Sequence, residues 1–211
     1  MTITHHPSDA TLGALASGAL DEARGLVVAT HLSLCAPCRR AARTFEHVAG
    51  ALLENIEPTG LRPDALEQTL ARLGEVEAAV SGPDLPSASD LPAPLSQFAV
   101  GSWRWIGPGV RWRSVDLPSE GGVRVFMLKA APRTRLPRHR HTGTEWTCVL
   151  QGAFRHDLGR YGAGDFDEAD ETVEHNPVVE DGVACICLIA LQGNIQLQSR
   201  LGRLIAPLIR L

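Results

Sequence analysis

Two groups of side chains in this chain have the types and spacing to bind metal ions. His31, Cys35 and Cys38 form an H-x3-C-x2-C cluster, and far downstream His139, His141 and Glu145 form H-x-H-x3-E. Thiolates with one imidazole favour a closed, structural zinc site. Imidazoles with a carboxylate leave room for an exogenous ligand, as catalytic and sensing sites do. Tetrahedral zinc needs a fourth donor beside the thiols, and His5, His6 and His47 are the candidates. His6 is preferred because it would tether the N-terminal segment, although the sequence barely separates it from His5. A redox role for Cys35-x-x-Cys38 is disfavoured, because the strand-then-helix setting of such dithiols is absent.

The first cluster must be held by helices. Ser8-Asp9 can cap a helix running to Ser17, where Gly18 breaks it, and Asp21-Glu22 open a second running to Leu32. Pro37 suits the first turn of a third helix from Ala36 to Asn55. His31 then lies near one helix end and the cysteines at the next helix start, so one metal could staple the junction. Helix N-termini lower thiol pKa, which would favour thiolates there. A fourth helix, Pro63 to Val80, places Leu66, Leu70, Leu73, Val76 and Val80 along one face. That stripe serves either core packing or a partner.

Residues 81–96 carry four prolines among Ser, Gly and Asp, which is the composition of a semi-rigid linker. From Trp103 the texture changes to short apolar or alternating runs, at Val123–Leu128, Glu145–Leu150, Gly152–Asp157 and Val183–Leu191. Such spacing indicates a small antiparallel barrel or sandwich. Residues two apart in a strand share a face, so His139 and His141 project together, with Glu145 opening the next strand on the same side. The acidic stretch Asp165, Asp167, Glu168, Asp170, Glu171 and Glu174 reads as a solvated loop. Cys148, Cys185 and Cys187 read as packed core residues, and Trp146 as lining the pocket edge. The tail after residue 195 is apolar enough to pack on something, including a second copy of the chain.

The 211 residues are 44% apolar and 21% charged, with no apolar run of membrane-spanning length and no secretory pattern at the start. Five cysteines, two at metal-ligand spacing, fit a reduced, cytoplasmic setting better than a disulfide framework. Residues 1–85 hold six arginines against eleven acidic residues. That balance disfavours direct DNA binding and favours a basic protein partner.

The H-x3-C-x2-C pattern, a histidine near the N-terminus and an acidic helical segment resemble the zinc-binding anti-sigma domain. The resemblance implies zinc on His31, Cys35, Cys38 and His6. It also implies a group IV (extracytoplasmic-function) sigma factor as partner, whose basic surfaces such a domain could mask. H-x-H-x3-E-x6-G, ending at Gly152, resembles the first cupin motif. Tyr161-Gly-Ala-Gly-Asp165 and His175-Asn176-Pro177 resemble the second. That match implies a divalent metal, taken as zinc, on His139, His141, Glu145 and His175. In two respects the chain departs from the motif: Arg133 stands where a glycine precedes the first histidine, and the gap before His175 is long.

The fold expected is therefore a two-domain α + β chain. Residues 1–80 form a small helical bundle stapled by zinc, and 81–99 a proline-rich linker. Residues 100–195 form a cupin-type antiparallel β-barrel (jelly-roll), with an apolar tail at 196–211. The domain order resembles the ChrR-type zinc anti-sigma factors. It implies a sigma factor held inactive until an oxidative signal such as singlet oxygen acts through the cupin. The alternative is a cupin metalloenzyme, a dioxygenase or isomerase, with an accessory zinc domain.

Overall fold

The computed structural model describes residues 2–73, 91–117 and 121–197. Its helices start where short polar side chains can satisfy free N–H groups. Ser8 accepts from the Thr11 N–H at 3.2 Å and opens α1 (Asp9–Ala16). Asp21 accepts from the Arg24 N–H at 2.9 Å and opens α2 (Glu22–Leu34). Cys35 alone separates α2 from α3 (Ala36–Glu54), with Pro37 in the first turn of α3. α4 (Ala65–Leu73) buries none of its residues. The expected continuation of this helix to Val80 lies outside the described residues, as do 81–90 of the expected linker and 198–211 of the tail. The stretch from Leu91 is packed rather than extended: Leu95 is fully buried in a short 3-10 turn, Leu95–Gln97. Among the described residues no helix is long and apolar enough to cross a membrane.

Twelve strands follow among the described residues. They are β1 (Arg104–Gly107), β2 (Val110–Ser114), β3 (Val123–Ala130), β4 (His139–His141), β5 (Glu145–Gln151) and β6 (Ala153–His156). Then come β7 (Gly159–Gly162), β8 (Phe166–Ala169), β9 (Glu174–His175), β10 (Val178–Val179), β11 (Cys185–Gln192) and β12 (Ile195–Leu197). The helices-then-sheets order is that of a two-domain α + β chain, but the closed barrel expected from the sequence does not form. The strands make three open sheets: six-stranded β1-β2-β3-β11-β5-β8, and three-stranded β10-β6-β7 and β12-β4-β9. A physical reason lies at the β8 edge. The Phe166 N–H, which could have paired with a further strand, donates instead to the His5 carbonyl at 3.1 Å. The N-terminal segment thus occupies the edge that closure would need.

The six-stranded sheet has two buried faces. On one, Val125, Met127, Cys148, Phe166 and Leu188 pack against Leu12 of α1 and Leu26, Val27 and Val28 of α2. Each of these large side chains contributes on the order of 2 kcal/mol by leaving water. On the other face, Phe126, Val149, Cys187, Ile189 and Leu191 meet Phe154, Tyr161 and Val179 of the β6, β7 and β10 strands. The helices therefore share a core with one face of the six-stranded sheet, and β6, β7 and β10 share a second core with the other. Gly152, the glycine of the E-x6-G spacing, has φ 72°, and a Cβ there would lie 2.7 Å from the Ala184 carbonyl.

Candidate metal centres

Cys35 ends α2 and begins α3 with φ −110° and ψ 105°, so its side chain and that of Cys38, one turn on, meet His31 from the last turn of α2. His31, Cys35 and Cys38 are buried, and His6 closes the group from the exposed side. His6 Nδ1 lies 3.5 Å from Cys35 Sγ and 3.3 Å from Cys38 Sγ. Donors on tetrahedral zinc, with sulfur at about 2.3 Å and nitrogen at about 2.0 Å, would be about 3.5 Å apart. His31 donates from Nδ1 to the Gly164 carbonyl at 2.8 Å, which leaves its buried Nε2 without a partner. An orphaned imidazole lone pair beside two thiols fits a metal ion. Burial lowers the His31 pKa to about 4, so the ring is neutral, as a ligand must be.

The expected low thiol pKa does not hold. Burial, with the neighbouring Cys35, pushes Cys38 up to about 12, so a thiolate there needs a cation. Two of the alternative fourth ligands lie elsewhere. His5 stacks on Tyr161 with ring centres 4.2 Å apart and sits 3.8 Å from Asp165, while His47 is exposed on α3.

In the second centre, His139 and His141 point inward from β4 with Arg140 exposed between them. His175 of β9 is the register partner of His139, and Glu145 opens β5. All four are buried. His175 Nε2 lies 3.1 Å from His139 Nε2 and 3.2 Å from His141 Nε2, and His141 Nε2 lies 3.6 Å from Glu145 Oε2. Imidazoles on one metal would be about 3.0 Å apart in octahedral and about 3.3 Å in tetrahedral geometry. His139 donates from Nδ1 to the Pro137 carbonyl at 2.7 Å, leaving Nε2 as its lone-pair nitrogen. Burial lowers the pKa of His141 to about 4 and of His175 to about 3, and raises that of Glu145 to about 8. Three neutral rings and a carboxyl kept protonated by burial form a set that a divalent cation would complete.

Sequence reasoning passed over several residues. His156 and Asp167 lie close to His175, with His156 Nε2 3.3 Å from Asp167 Oδ2. His156 Nδ1 already accepts the Leu158 N–H at 3.2 Å, so Nε2 carries the proton and donates to Asp167. The His156 ring stands edge-on to that of His175, with centres 5.1 Å apart, so the pair borders the histidine centre. The acidic stretch is not a solvated loop at its start: Asp165 and Asp167 are buried. Burial opposes the charge of Asp165, yet the N–H groups of Gly162, His5 and Thr4 hold its carboxyl below the ordinary range. Asp165-x-Asp167 at strand spacing was the available signal. Trp146 faces the helices, not the pocket. Arg24 of α2 lies 5.3 Å over its ring and donates to Thr144 and Gln192 at 2.7 and 2.6 Å.

Comparison with known proteins places the chain in a family. Residues 94–193 match the ChrR Cupin-like domain family. The whole chain is 42% identical to the anti-sigma-E factor ChrR of Cereibacter sphaeroides over 219 residues, covering 100% of both. It also matches the crystal structure of Rhodobacter sphaeroides SigE in complex with the anti-sigma ChrR. There the TM-score is 0.74 and the identity 40%, over 90% of this chain and 100% of that one. A regulatory role therefore replaces the metalloenzyme alternative. The chain belongs to the ChrR family of anti-sigma factors.

Proposed function

We propose that this chain binds and inhibits a group IV (extracytoplasmic-function) sigma factor through its helices. An oxidative signal such as singlet oxygen, acting through the β-sheet half, releases it. The observation that carries this reading is an apolar face without a partner among the described residues. Val48 and Leu52 of α3, Ile56 beyond it, and Leu66, Leu70 and Leu73 of α4 are 54% to 75% exposed. Their spacing puts Val48 and Leu52 on one helix face, and Leu66, Leu70 and Leu73 on another. Exposed apolar residues of this kind, in an acidic segment, suit a basic protein partner. The similar solved structure is itself a complex with SigE.

In this reading zinc is held by His6, His31, Cys35 and Cys38, and a divalent metal, taken as zinc, by His139, His141, Glu145 and His175. The donor chemistry of the two groups supports those choices. Residues 1–80 form the anti-sigma domain, 81–99 a connector, 100–195 the cupin-like domain and 196–211 a tail suited to self-association. The protein acts in the cytoplasm, without direct DNA or membrane binding.

The test is co-expression of the full chain with the group IV sigma factors of its host, followed by size-exclusion chromatography and in vitro transcription. The wild type co-elutes with one of them and represses it. Replacing Leu52 and Leu70 together by Asp weakens the complex about 100-fold or more, at roughly 1.5–3 kcal/mol per leucine, and leaves bound metal unchanged. A wild-type chain that neither binds nor represses any of these sigma factors would overturn the reading.

A further inference from the structure

His6 is the one member of the thiol-rich group that lies away from the α2–α3 junction, on the segment that leads into α1. Besides α1, what holds that segment comes from the other half of the chain. Asp165 Oδ1 accepts the Thr4 and His5 N–H groups at 2.6 and 3.0 Å, while its Oδ2 accepts the Gly162 N–H at 2.7 Å. The Phe166 N–H donates to the His5 carbonyl at 3.1 Å, and beyond His6 the Ser8 N–H donates to Glu168 at 3.3 Å. Ile3 lies flat on Gly164, where a Cβ would come within 2.6 Å of its side chain. The Gly164 carbonyl, at φ 90° in the same turn, also takes the Nδ1 proton of His31. One turn, between β7 and β8, thus orients two of the four donors.

We propose that the β7–β8 turn is the outer support of the thiol-rich metal centre, with Asp165 the positioning residue for His6 and the Gly164 carbonyl that for His31. Retention of metal by the helices then depends on their docking against the sheets. The α2–α3 junction supplies three donors, and the fourth is set in place by the strap from Ile3 to Ser8, which is bonded to Asp165 and β8. Supports of this kind change metal affinity or exchange by roughly 10- to 100-fold when removed. The proposal rests on reading His6, His31, Cys35 and Cys38 as a metal centre.

The experiment loads the full chain with Co2+. The thiolate-to-cobalt charge-transfer band reports only the thiol-rich centre, because the histidine centre has no sulfur donor. Its decay is then followed after addition of excess chelator. Asp165→Ala speeds the loss about tenfold or more, and Asp165→Asn, which keeps one acceptor oxygen, falls between it and the wild type. Gly164→Ala, which crowds Ile3, speeds it as well. Circular dichroism checks that each variant is folded, and should Asp165→Ala not fold, the Asn and Gly164 variants carry the comparison. A charge-transfer band whose decay is within twofold of wild type in the folded variants overturns the proposal alone. A wild-type chain with no such band overturns the metal reading beneath it.

Discussion

The two candidate metal centres are built on opposite plans. The histidine centre takes His139, His141, Glu145 and His175 from β4, β5 and β9, all buried. The thiol-rich centre sits at a helix junction, has one exposed donor, and depends on a turn more than a hundred residues away for the hydrogen bond to His31. A centre inside its own sheets can change its contents without moving the rest of the molecule. A centre at a junction cannot, because its donors come from separate segments, the N-terminal strap and the α2–α3 junction, whose relative placement it shares in fixing. The structure thus assigns the greater mechanical consequence to the thiol-rich group.

The sharpest way to break this comparison is Cys38→Ser. It should empty the thiol-rich centre and lower thermal stability by several kcal/mol, a part of the roughly 10 kcal/mol that structural zinc contributes in small zinc domains. It should also abolish the proposed sigma-factor complex. Metal analysis should still find the histidine centre loaded, and loss of metal from both would erase the asymmetry. His141→Ala is the reciprocal change. It should remove the metal of the histidine centre only, keep the thiolate–cobalt band and cost a smaller loss of melting temperature. A complex that dissociates in this variant without any signal would count against a self-contained β half.

A smaller effect separates the centres by pH in chelated, metal-free protein. His31, His141 and His175 have folded pKa values of about 4, 4 and 3, below the unfolded value of about 6.5. The unfolded chain binds more protons below that pH, so stability falls as pH drops from about 6.5. Glu145 has the opposite sign, with a folded pKa of about 8. The native state binds its proton more tightly, so stability also falls as pH rises towards 8, by about 1–2 kcal/mol above pH 6.5. Urea titrations of metal-free protein should show a maximum near pH 6.5, and Glu145→Gln should remove the alkaline limb only. An alkaline limb that survives the substitution would place its origin outside the histidine centre.

The smallest effect expected is at Arg133, which has φ 63° in the segment leading to β4 and pairs with Asp181 at the surface. A left-handed backbone costs a non-glycine residue about 1 kcal/mol, and an exposed ion pair returns less than that. Arg133→Gly should therefore raise the melting temperature by at most about 2–4 °C, leaving both metals bound. A lower melting temperature would show that the Asp181 pair matters more than the strain.

Much of this was legible where cause and effect lie close in sequence. Ser8 and Asp21 cap the helices they precede, Cys35 and Cys38 meet His31 across one helix junction, and His139 and His141 share a face because strands alternate. The cupin-like glycine position also made sense, since Arg133 adopts the conformation glycine would favour. What could not be read has partners far away. His6 rather than His5 joins the cysteines because Asp165 sets the register of the strap. The same aspartate was mistaken for a solvated one because composition shows a charge but not the N–H groups that will surround it. Barrel closure was expected from strand spacing, whereas the open edge depends on which segment reaches β8 first. The thiol pKa followed burial rather than the helix end, and burial is a tertiary property.

Cys35 is at once the last residue beyond α2 and the residue before α3, so two dihedral angles of one residue aim the longer helix. The 19 residues of α3 extend about 28 Å at 1.5 Å each. A rotation of only about 10° at Cys35 would sweep the far end, where Leu52 sits, through about 5 Å. The candidate metal ligand is therefore also a pivot with a long lever. Small changes in how the sulfur is held become changes in aim at the apolar surface, large enough to decide whether a partner still fits.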